Sequence, residues 1–244
     1  MLVEACVDAI DASLEAERGG AGRLELCGEL VQGGVTPSAG LIAAVRDRVR
    51  IPLFVLIRPR TGDFLYSADE RDVMLRDIAS AKQLGADGIV IGALTANGDI
   101  DADLTRTLIE AARPMQVTFH RAFDFARNQV AATDALLELG IDRVLTSGGA
   151  SSALEGAGAL KRLVERAGDA MTILAGGSIT ASNVADVVRL SGVREVHLRA
   201  AVRVESVMTH RHVGVSLARP QALGDYERVM TTADELRQVM AELS

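Results

Sequence analysis

Several kinds of residue are scarce in this chain, and each scarcity argues against a class of protein. There is no tryptophan, and aromatic residues make up 3% of the sequence, which argues against aromatic platforms that stack on nucleic-acid bases. Lysine and arginine number 26 against 33 acidic residues, for a formal net charge of −7. A basic surface that binds nucleic acid is therefore not expected. Two cysteines are too few for a disulfide framework and fit a reducing cytoplasm.

Long apolar runs are also missing. No run approaches the roughly 20 residues that a membrane-spanning helix needs. The first residues, MLVEACVDAID, include acidic side chains from position 4, which is not the pattern of a signal peptide. We therefore expect a cytoplasmic protein that binds neither membranes nor nucleic acid. We also expect a homo-oligomer, whose size the sequence does not specify.

Short apolar strands alternate with helical segments along most of the chain. Every link from one strand to the next contains a helical crossover, so the sheet should be parallel. Eight such units predict a single-domain α/β protein, a (β/α)8 TIM barrel over residues 1–200, with a doubly wound open sheet as the alternative. Residues 201–244 would form a C-terminal extension, ending in a closing helix near 232–243 that packs on the barrel. The predicted strands are 2–6, 23–27, 52–60, 89–92, 117–124, 143–149, 171–179 and 193–198.

Polar side chains gather where these strands end, and in a barrel the carboxyl ends of the strands surround the active site. The stretch VTFHRAFD brings His120, Arg121 and Asp124 within five residues. His120 and Arg121 would face opposite sides of a strand unless the chain has already turned, and Asp124 would cap or brace the next helix. The other candidates at strand ends are Glu4, Glu25, Arg58, Ser147 and His197. Two buried glutamates require positive partners, so a buried ion network that only supports the barrel is the structural alternative.

A Glu-x-Cys pattern occurs twice, at Glu4/Cys6 and at Glu25/Cys27. Residues two apart on a strand share a face, and the first two strands should be neighbours about 4.8 Å apart. Cys6 and Cys27 could then approach each other and bind a soft ion such as Cu(I). The alternative is that both are small buried hydrophobes.

Paired glycines follow strands six and seven. Ser147 with Gly148 and Gly149, and Gly176 with Gly177, could turn backbone N–H groups toward an anion or a phosphate, or could simply form tight turns. Asp8 is a candidate cap for the first helix, and Ser38 or Thr36 for the second. His210 and His212 are expected in a solvated loop.

These motifs resemble a known family. EACV, RLELC, GGVTPS, LIRPRTGDFLYS, TFHRAFD and LTSGG, in this order, are similar to the CutC family of copper-homeostasis proteins over about residues 2–200. The resemblance implies a cytoplasmic TIM barrel connected with copper tolerance, and Cys6 and Cys27 match its candidate copper ligands. Two positions depart from the family pattern. Leu56 stands where a methionine is usual, and Arg199 stands in a usually small ending after His197, where it could favour an anion or fill the pocket.

Two functions from different classes follow. The first is a cytosolic copper-homeostasis protein that binds a copper ion, Cu(I), through Cys6 and Cys27. The second is an isomerase, aldolase or lyase acting on a small anionic or phosphorylated metabolite. In the enzyme, Glu4 or Glu25 would be the general base, His120 the acid–base partner and His197 a further catalytic residue. The anion-binding groups would be Arg58, Arg121, Ser147, Gly148, Gly149, Gly176 and Gly177.

Overall fold

Eight short parallel strands close into a barrel, in the order of the chain, and the last strand pairs with the first to complete it. The computed structural model describes residues 1–212, 214–217 and 223–243. The predicted fold class is therefore confirmed, and the open sheet is excluded. The barrel strands are β1 Leu2–Val7, β2 Arg23–Leu26, β3 Leu53–Leu56, β4 Gly88–Ile91, β5 Gln116–Phe119, β6 Arg143–Thr146, β7 Thr172–Gly176 and β8 Glu195–Leu198.

Helices follow the strands and cover the outside of the barrel. Several begin at a local capping signal, and the closing helix lies where it was predicted, near 232–243. Ser38 accepts a hydrogen bond from the Leu41 amide and begins the second helix, as predicted, and Ser67 and Glu70 form a capping box for the third. The helices are α1 Ile10–Gly19, α2 Ala39–Arg46, α3 Ala68–Gln83, α4 Ala102–Ala112, α5 Gln129–Glu138, α6 Ala157–Ala167, α7 Val184–Ser191 and α8 Ala233–Ala241. None of the described helices is long and apolar enough to cross a bilayer.

The predicted cap at Asp8 is wrong. Helix α1 has Ala9 as its N-cap, with no side-chain hydrogen bond. Asp8 instead accepts a hydrogen bond from Arg199 Nη2 at 3.1 Å. This ion pair also accounts for Arg199, the residue that departs from the family pattern after His197. Arg199 is directed to Asp8 and is not among the residues that line the candidate pocket.

Strand alternation produces two apolar layers. On β3 and β4, Val55 and Ile89 face the helices and join the large core between the barrel and its outer ring. Phe54 and Val90 face the barrel interior and pack with both cysteines. Gly88 has no side chain at the point where the Phe54 ring crosses the barrel, since a Cβ there would lie 2.5 Å from that ring. The interior is therefore filled, and open space remains at its carboxyl end.

The C-terminal segment adds a small sheet that the sequence did not indicate. Strands β9, Ala201–Glu205, and β10, Glu227–Thr231, pair antiparallel outside the barrel. Helix α8 follows and packs on α1, where Gly19 allows close approach of Leu236. His210 and His212 lie exposed between β9 and β10, while Pro220 lies outside the described residues.

Candidate functional site at the carboxyl end of the barrel

A cavity of about 190 Å³ opens at the carboxyl ends of the strands. It gathers seven of the side chains singled out from the sequence, contributed by strands one, two, three, five and eight or the residues that follow them. They are Cys6, Glu25, Cys27, Arg58, His120, Arg121 and His197. Leu30, Leu56, Phe64 and Leu145 supply the apolar part of the wall. Leu56, where the family usually has methionine, thus lies in the cavity.

The two cysteines lie together on the floor of this cavity. Parallel pairing places Cys6 beside Glu25, and Cys27 follows at the next inward position. The Cys6 and Cys27 sulfur atoms are 3.8 Å apart, and both thiols are free and buried. A hydrogen bond from Cys27 outweighs burial and, with His197, lowers the pKa of Cys6 to about 5. Burial and the neighbouring Cys6 raise the pKa of Cys27 well above its usual value. The pair is therefore one thiolate supported by one thiol.

His197 connects the cysteines to the two glutamates. Its Nδ1 lies 2.7 Å from Glu4 Oε1, and its Nε2 lies 3.6 Å from Glu25 Oε2. Burial alone would lower the pKa of His197, but its hydrogen bonds with Cys6 and Glu4 raise that pKa well above its usual range. Burial, followed by the charge of Cys6, raises the pKa of Glu25. On this floor, the surroundings favour the thiolate form of Cys6, the charged form of His197 and the neutral form of Glu25.

Glu4 lies one layer deeper and does not line the cavity. Burial would raise its pKa, but the hydrogen bond with His197 and the charge of Arg23 lower that pKa to about 2. Glu4 accepts from Arg23 Nε and from His197 at once. This arrangement suits a carboxylate that orients His197, and it does not support Glu4 as a general base open to a ligand.

The deeper layer also contains three charged residues that the sequence analysis did not single out: Arg23, Arg143 and Glu195. Arg23 Nη2 donates to Glu195 at 2.6 Å, and Arg143 Nε donates to the same carboxylate at 2.7 Å. Both guanidinium groups lie over the Phe54 ring, at 5.0 and 5.4 Å from its centroid. The buried ion network considered as an alternative therefore exists, but beneath the cavity. Arg23 is two residues before Glu25 on one strand, and this spacing could have indicated that both side chains face the barrel interior.

His120 ends β5 and turns the chain. Its Nδ1 accepts from the Ala122 amide at 3.0 Å, which begins a short 3₁₀ helix over Arg121–Phe125. This turn brings Arg121 into the same cavity as His120 and resolves the expected conflict of faces. Burial and then the charge of Arg58 lower the pKa of His120 to about 3. The neutral ring carries its proton on Nε2, so the site favours His120 as a hydrogen-bond donor over the predicted acid–base role.

Asp124 holds the loop after β6 and does not cap α5, whose N-cap is Asn128. Its carboxylate accepts from Arg121 Nε at 2.7 Å and from the Ser147 and Gly149 amides at 3.1 Å. The Gly148 amide donates to Thr146 Oγ1 at 2.8 Å. The amides predicted to hold an external anion are thus engaged by the protein itself. The expected role of Gly148 and Gly149, donation of their amides to an external anion, is corrected accordingly.

The remaining members of the predicted anion site lie outside the cavity wall. Ser147 accepts from Arg121 Nη2 at 3.0 Å and donates to the Ala150 carbonyl at 2.7 Å. Gly176 belongs to β7 beside His197, and a Cβ there would lie 2.5 Å from Leu145. Gly177 has a φ of +113° and lies against Ser147 and Arg121. Close packing and turn geometry account for both glycines.

Among the described residues, two overlapping groups of side chains have the donor types and spacing of a metal site. Cys6, Glu25 and Cys27 present ligand atoms within 4.8 Å of one another, and Glu4, Glu25 and His197 do the same. The first group is sulfur-rich and faces the cavity, which suits a soft ion. The second group includes Glu4, which is already bound by Arg23.

Fold and site together define a parallel α/β barrel with a buried thiol–imidazole–carboxyl cluster at the carboxyl ends of its strands. The chain belongs to the CutC family, whose model matches residues 1–202. The copper homeostasis protein cutC homologs of mouse and human are each 46% identical over 240 residues, which is 98% of this chain and 88% of theirs. A family protein CutC of Chromobacterium violaceum is 44% identical over 97% of this chain and 95% of its own.

Solved structures agree with the fold. CutC of Streptococcus agalactiae superimposes with a TM-score of 0.78 at 33% identity, over 81% of this chain and 97% of that one. Thiamine phosphate pyrophosphorylase of Pyrococcus furiosus has a TM-score of 0.60 at 13% identity, over 99% and 95% of the two chains. At that identity it shows the barrel fold alone, and so gives the enzyme hypothesis no support.

Proposed function

We propose that this chain binds Cu(I) through Cys6 and Cys27 and acts in copper homeostasis in the cytoplasm. The observation that carries the proposal is the 3.8 Å separation of the two sulfur atoms inside a cavity. Metal–thiolate bonds are about 2.3 Å long, so both sulfurs can bind one ion without moving apart. The curated relatives named for copper homeostasis support the same assignment.

The chemistry of the donor set fits a soft monovalent ion. Cys6 has a pKa of about 5, lowered by Cys27. Cys6 is therefore already a thiolate at neutral pH, and ion binding would release no proton from it. Binding would release the proton of Cys27, whose pKa burial raises. Glu25 completes the group that faces the cavity. His197 lies beside it, and its Nε2 would have to lose its proton before it could bind the ion. A reducing cytoplasm would keep both thiols free for this role.

Copper binding is tested by anaerobic titration with Cu(I) against a competing chelator. We expect one equivalent to bind to wild type, and we expect the Cys6→Ser, Cys27→Ser double variant to lose more than about 100-fold in affinity, beyond the range for losing an outer-shell partner. The matched control is His210→Asn, His212→Asn, which removes an exposed alternating pair of potential ligands. It should bind as wild type does. Equal affinity in wild type and the double serine variant would show that this site is wrong.

A further inference from the structure

The copper proposal leaves one wall of the cavity unused. Besides the cysteines, Arg58 and His120 line the same space. Each has a buried nitrogen that makes no hydrogen bond of normal geometry: Nε of Arg58, whose guanidinium lies near the buried Tyr66 hydroxyl, and Nε2 of His120. They are two of the four side-chain polar atoms in this condition among the described residues. Buried polar atoms are normally paired, so two on one cavity wall indicate a missing ligand.

Both unpartnered nitrogens are donors. Arginine Nε always carries hydrogen, and His120 must carry its proton on Nε2 because Nδ1 accepts from the Ala122 amide. A pair of donors without an acceptor calls for an oxygen atom with lone pairs. Water could satisfy one donor, but the charge on this wall favours an anion.

Arg58 is the buried arginine whose charge is uncompensated. Three arginines are buried in the described part of the chain: Arg23, Arg58 and Arg143. Arg23 and Arg143 each contact carboxylates. Arg58 donates instead to the neutral carbonyls of Gly33, Gly34 and Gly62, the last at 2.8 Å. These bonds fix the guanidinium but leave its positive charge, which is costly to bury without an anion.

Phe64 covers these donors from outside. The Arg58 guanidinium carbon lies 5.1 Å from the Phe64 ring centroid, and the His120 ring centroid is also 5.1 Å from it. On its other side, Phe64 lines a second cavity of about 430 Å³, bounded by Leu65, Leu94 and Phe125. The Phe64 ring therefore borders both cavities, and it packs against the Phe125 ring at a centroid distance of 5.5 Å. Arg121 also lines the cavity and is more than one-third exposed, and its guanidinium is paired with Asp124.

We propose that Arg58 and His120 bind the oxyanion group, carboxylate or phosphate, of a small molecule that enters past Phe64 and Arg121. The cavity then has two halves, one of thiols for a soft ion and one of nitrogen donors for an anion. The anion site does not need the copper site, because its residues are separate from Cys6 and Cys27.

The probes for this site are acetate and inorganic phosphate, each compared with sodium chloride at equal ionic strength. Binding is measured on metal-free wild type and on the Cys6→Ser, Cys27→Ser variant, by thermal unfolding and by the ¹⁵N resonances of the histidine rings. We expect either anion to raise the unfolding temperature of both proteins and to shift the His120 Nε2 signal. Binding of acetate alone assigns a carboxylate ligand, and binding of phosphate alone a phosphorylated one. Because the serine variant lacks the thiols, failure of copper binding leaves this result unaffected.

The matched variants separate binding from folding. His120→Asn keeps an acceptor for the Ala122 amide but removes the Nε2 donor, and should weaken anion binding about 10-fold, as expected for one hydrogen bond to a charged group. Phe64→Ala should bind more tightly than wild type. Lys161→Gln removes a surface charge on α6 and should bind as wild type does. The proposal is overturned if neither anion shifts the His120 signal in wild type or in Phe64→Ala, or if His120→Asn binds as tightly as wild type.

Discussion

The sulfur atoms of Cys6 and Cys27 lie 3.8 Å apart, although 21 residues separate them in the chain. Neighbouring strands place them there, and His197 and Glu25 complete their surroundings. The consequence is an asymmetric pair, in which the pKa of one thiol is lowered and that of the other is raised.

This asymmetry predicts selective reactivity. At pH 6 to 7, Cys6 should be alkylated by iodoacetamide much faster than Cys27, because the thiolate is the nucleophile. In Cys27→Ala the hydrogen bond that lowers the pKa of Cys6 is lost, so the pH profile of Cys6 alkylation should move to higher pH. Rates are measured by mass spectrometry of the two peptides. Cys6→Ala is the control: burial, the largest cause of the raised pKa of Cys27, remains there, so Cys27 should still react much more slowly than Cys6 does in wild type. Equal rates at the two cysteines in wild type would contradict this account.

The cysteine pair was predictable because the signal is local. The spacing Glu-x-Cys on two successive strands places all four side chains on inward faces, and adjacent parallel strands fix their separation. The eight strands were recognised in the same way, from short apolar runs between helical segments. The roles of Arg23, Arg143 and Glu195 depend on closure of the barrel, which brings β2, β6 and β8 around one carboxylate. The spacing of these residues along the chain does not predict the contacts of Arg23 and Arg143 with Glu195.

The glycine loops could not be interpreted from the sequence in the same way. LTSGG has the composition of an anion-binding turn, but Asp124 from the preceding unit already occupies the amides of Ser147 and Gly149. Whether a turn is free depends on what the rest of the fold places beside it. The 3₁₀ turn after His120 is different, because it begins with a local bond from the Ala122 amide to the His120 ring two residues earlier.

Glu4 should give the protein an acid-sensitive component of stability. Its pKa falls from an ordinary 4.5 to about 2 in the folded state. A lowered carboxyl pKa stabilises the folded state fully above 4.5, and that contribution is lost as pH falls toward 2. It amounts to about 3 kcal/mol. Glu4→Gln should lower the free energy of unfolding at pH 7 by about 3 to 5 kcal/mol, since it leaves Arg23 short of a buried partner.

Urea unfolding at pH 7 and at pH 3 measures this effect. The difference in stability between wild type and Glu4→Gln should shrink at the lower pH, because wild type begins to lose the same interaction. Glu155→Gln, at an exposed position, is the control and should change stability little at either pH. A constant difference between wild type and Glu4→Gln across this range would rule out the assigned pKa direction.

His120 acts in a higher pH window. Its pKa falls from 6.5 to about 3 because burial and Arg58 disfavour the charged ring. Above pH 6.5 both folded and unfolded forms are neutral. As pH falls below 6.5 the unfolded form gains a proton that the folded form does not, so stability is lost progressively toward pH 3. The loss at pH 5 is about 2 kcal/mol. His120→Asn should therefore show a flatter decline in unfolding free energy between pH 7 and pH 5. If the unfolding free energy of His120→Asn declined as steeply as that of wild type, a group other than His120 would cause the loss of stability in this pH range.

Asp124 provides the most direct test of the loop after β6. Asp124→Ala removes the acceptor for Arg121, Ser147 and Gly149 and should lower the free energy of unfolding by about 2 to 4 kcal/mol. Asp134→Ala breaks an exposed pair with Arg166 and should cost less than about 1 kcal/mol. Because the freed amides and Arg121 would then face a space the size of a carboxylate, added formate or acetate should restore part of the lost unfolding temperature in Asp124→Ala, with no matching effect in Asp134→Ala. Thermal unfolding with and without these anions decides the point: no rescue would mean that the loop rearranges when its internal carboxylate is removed.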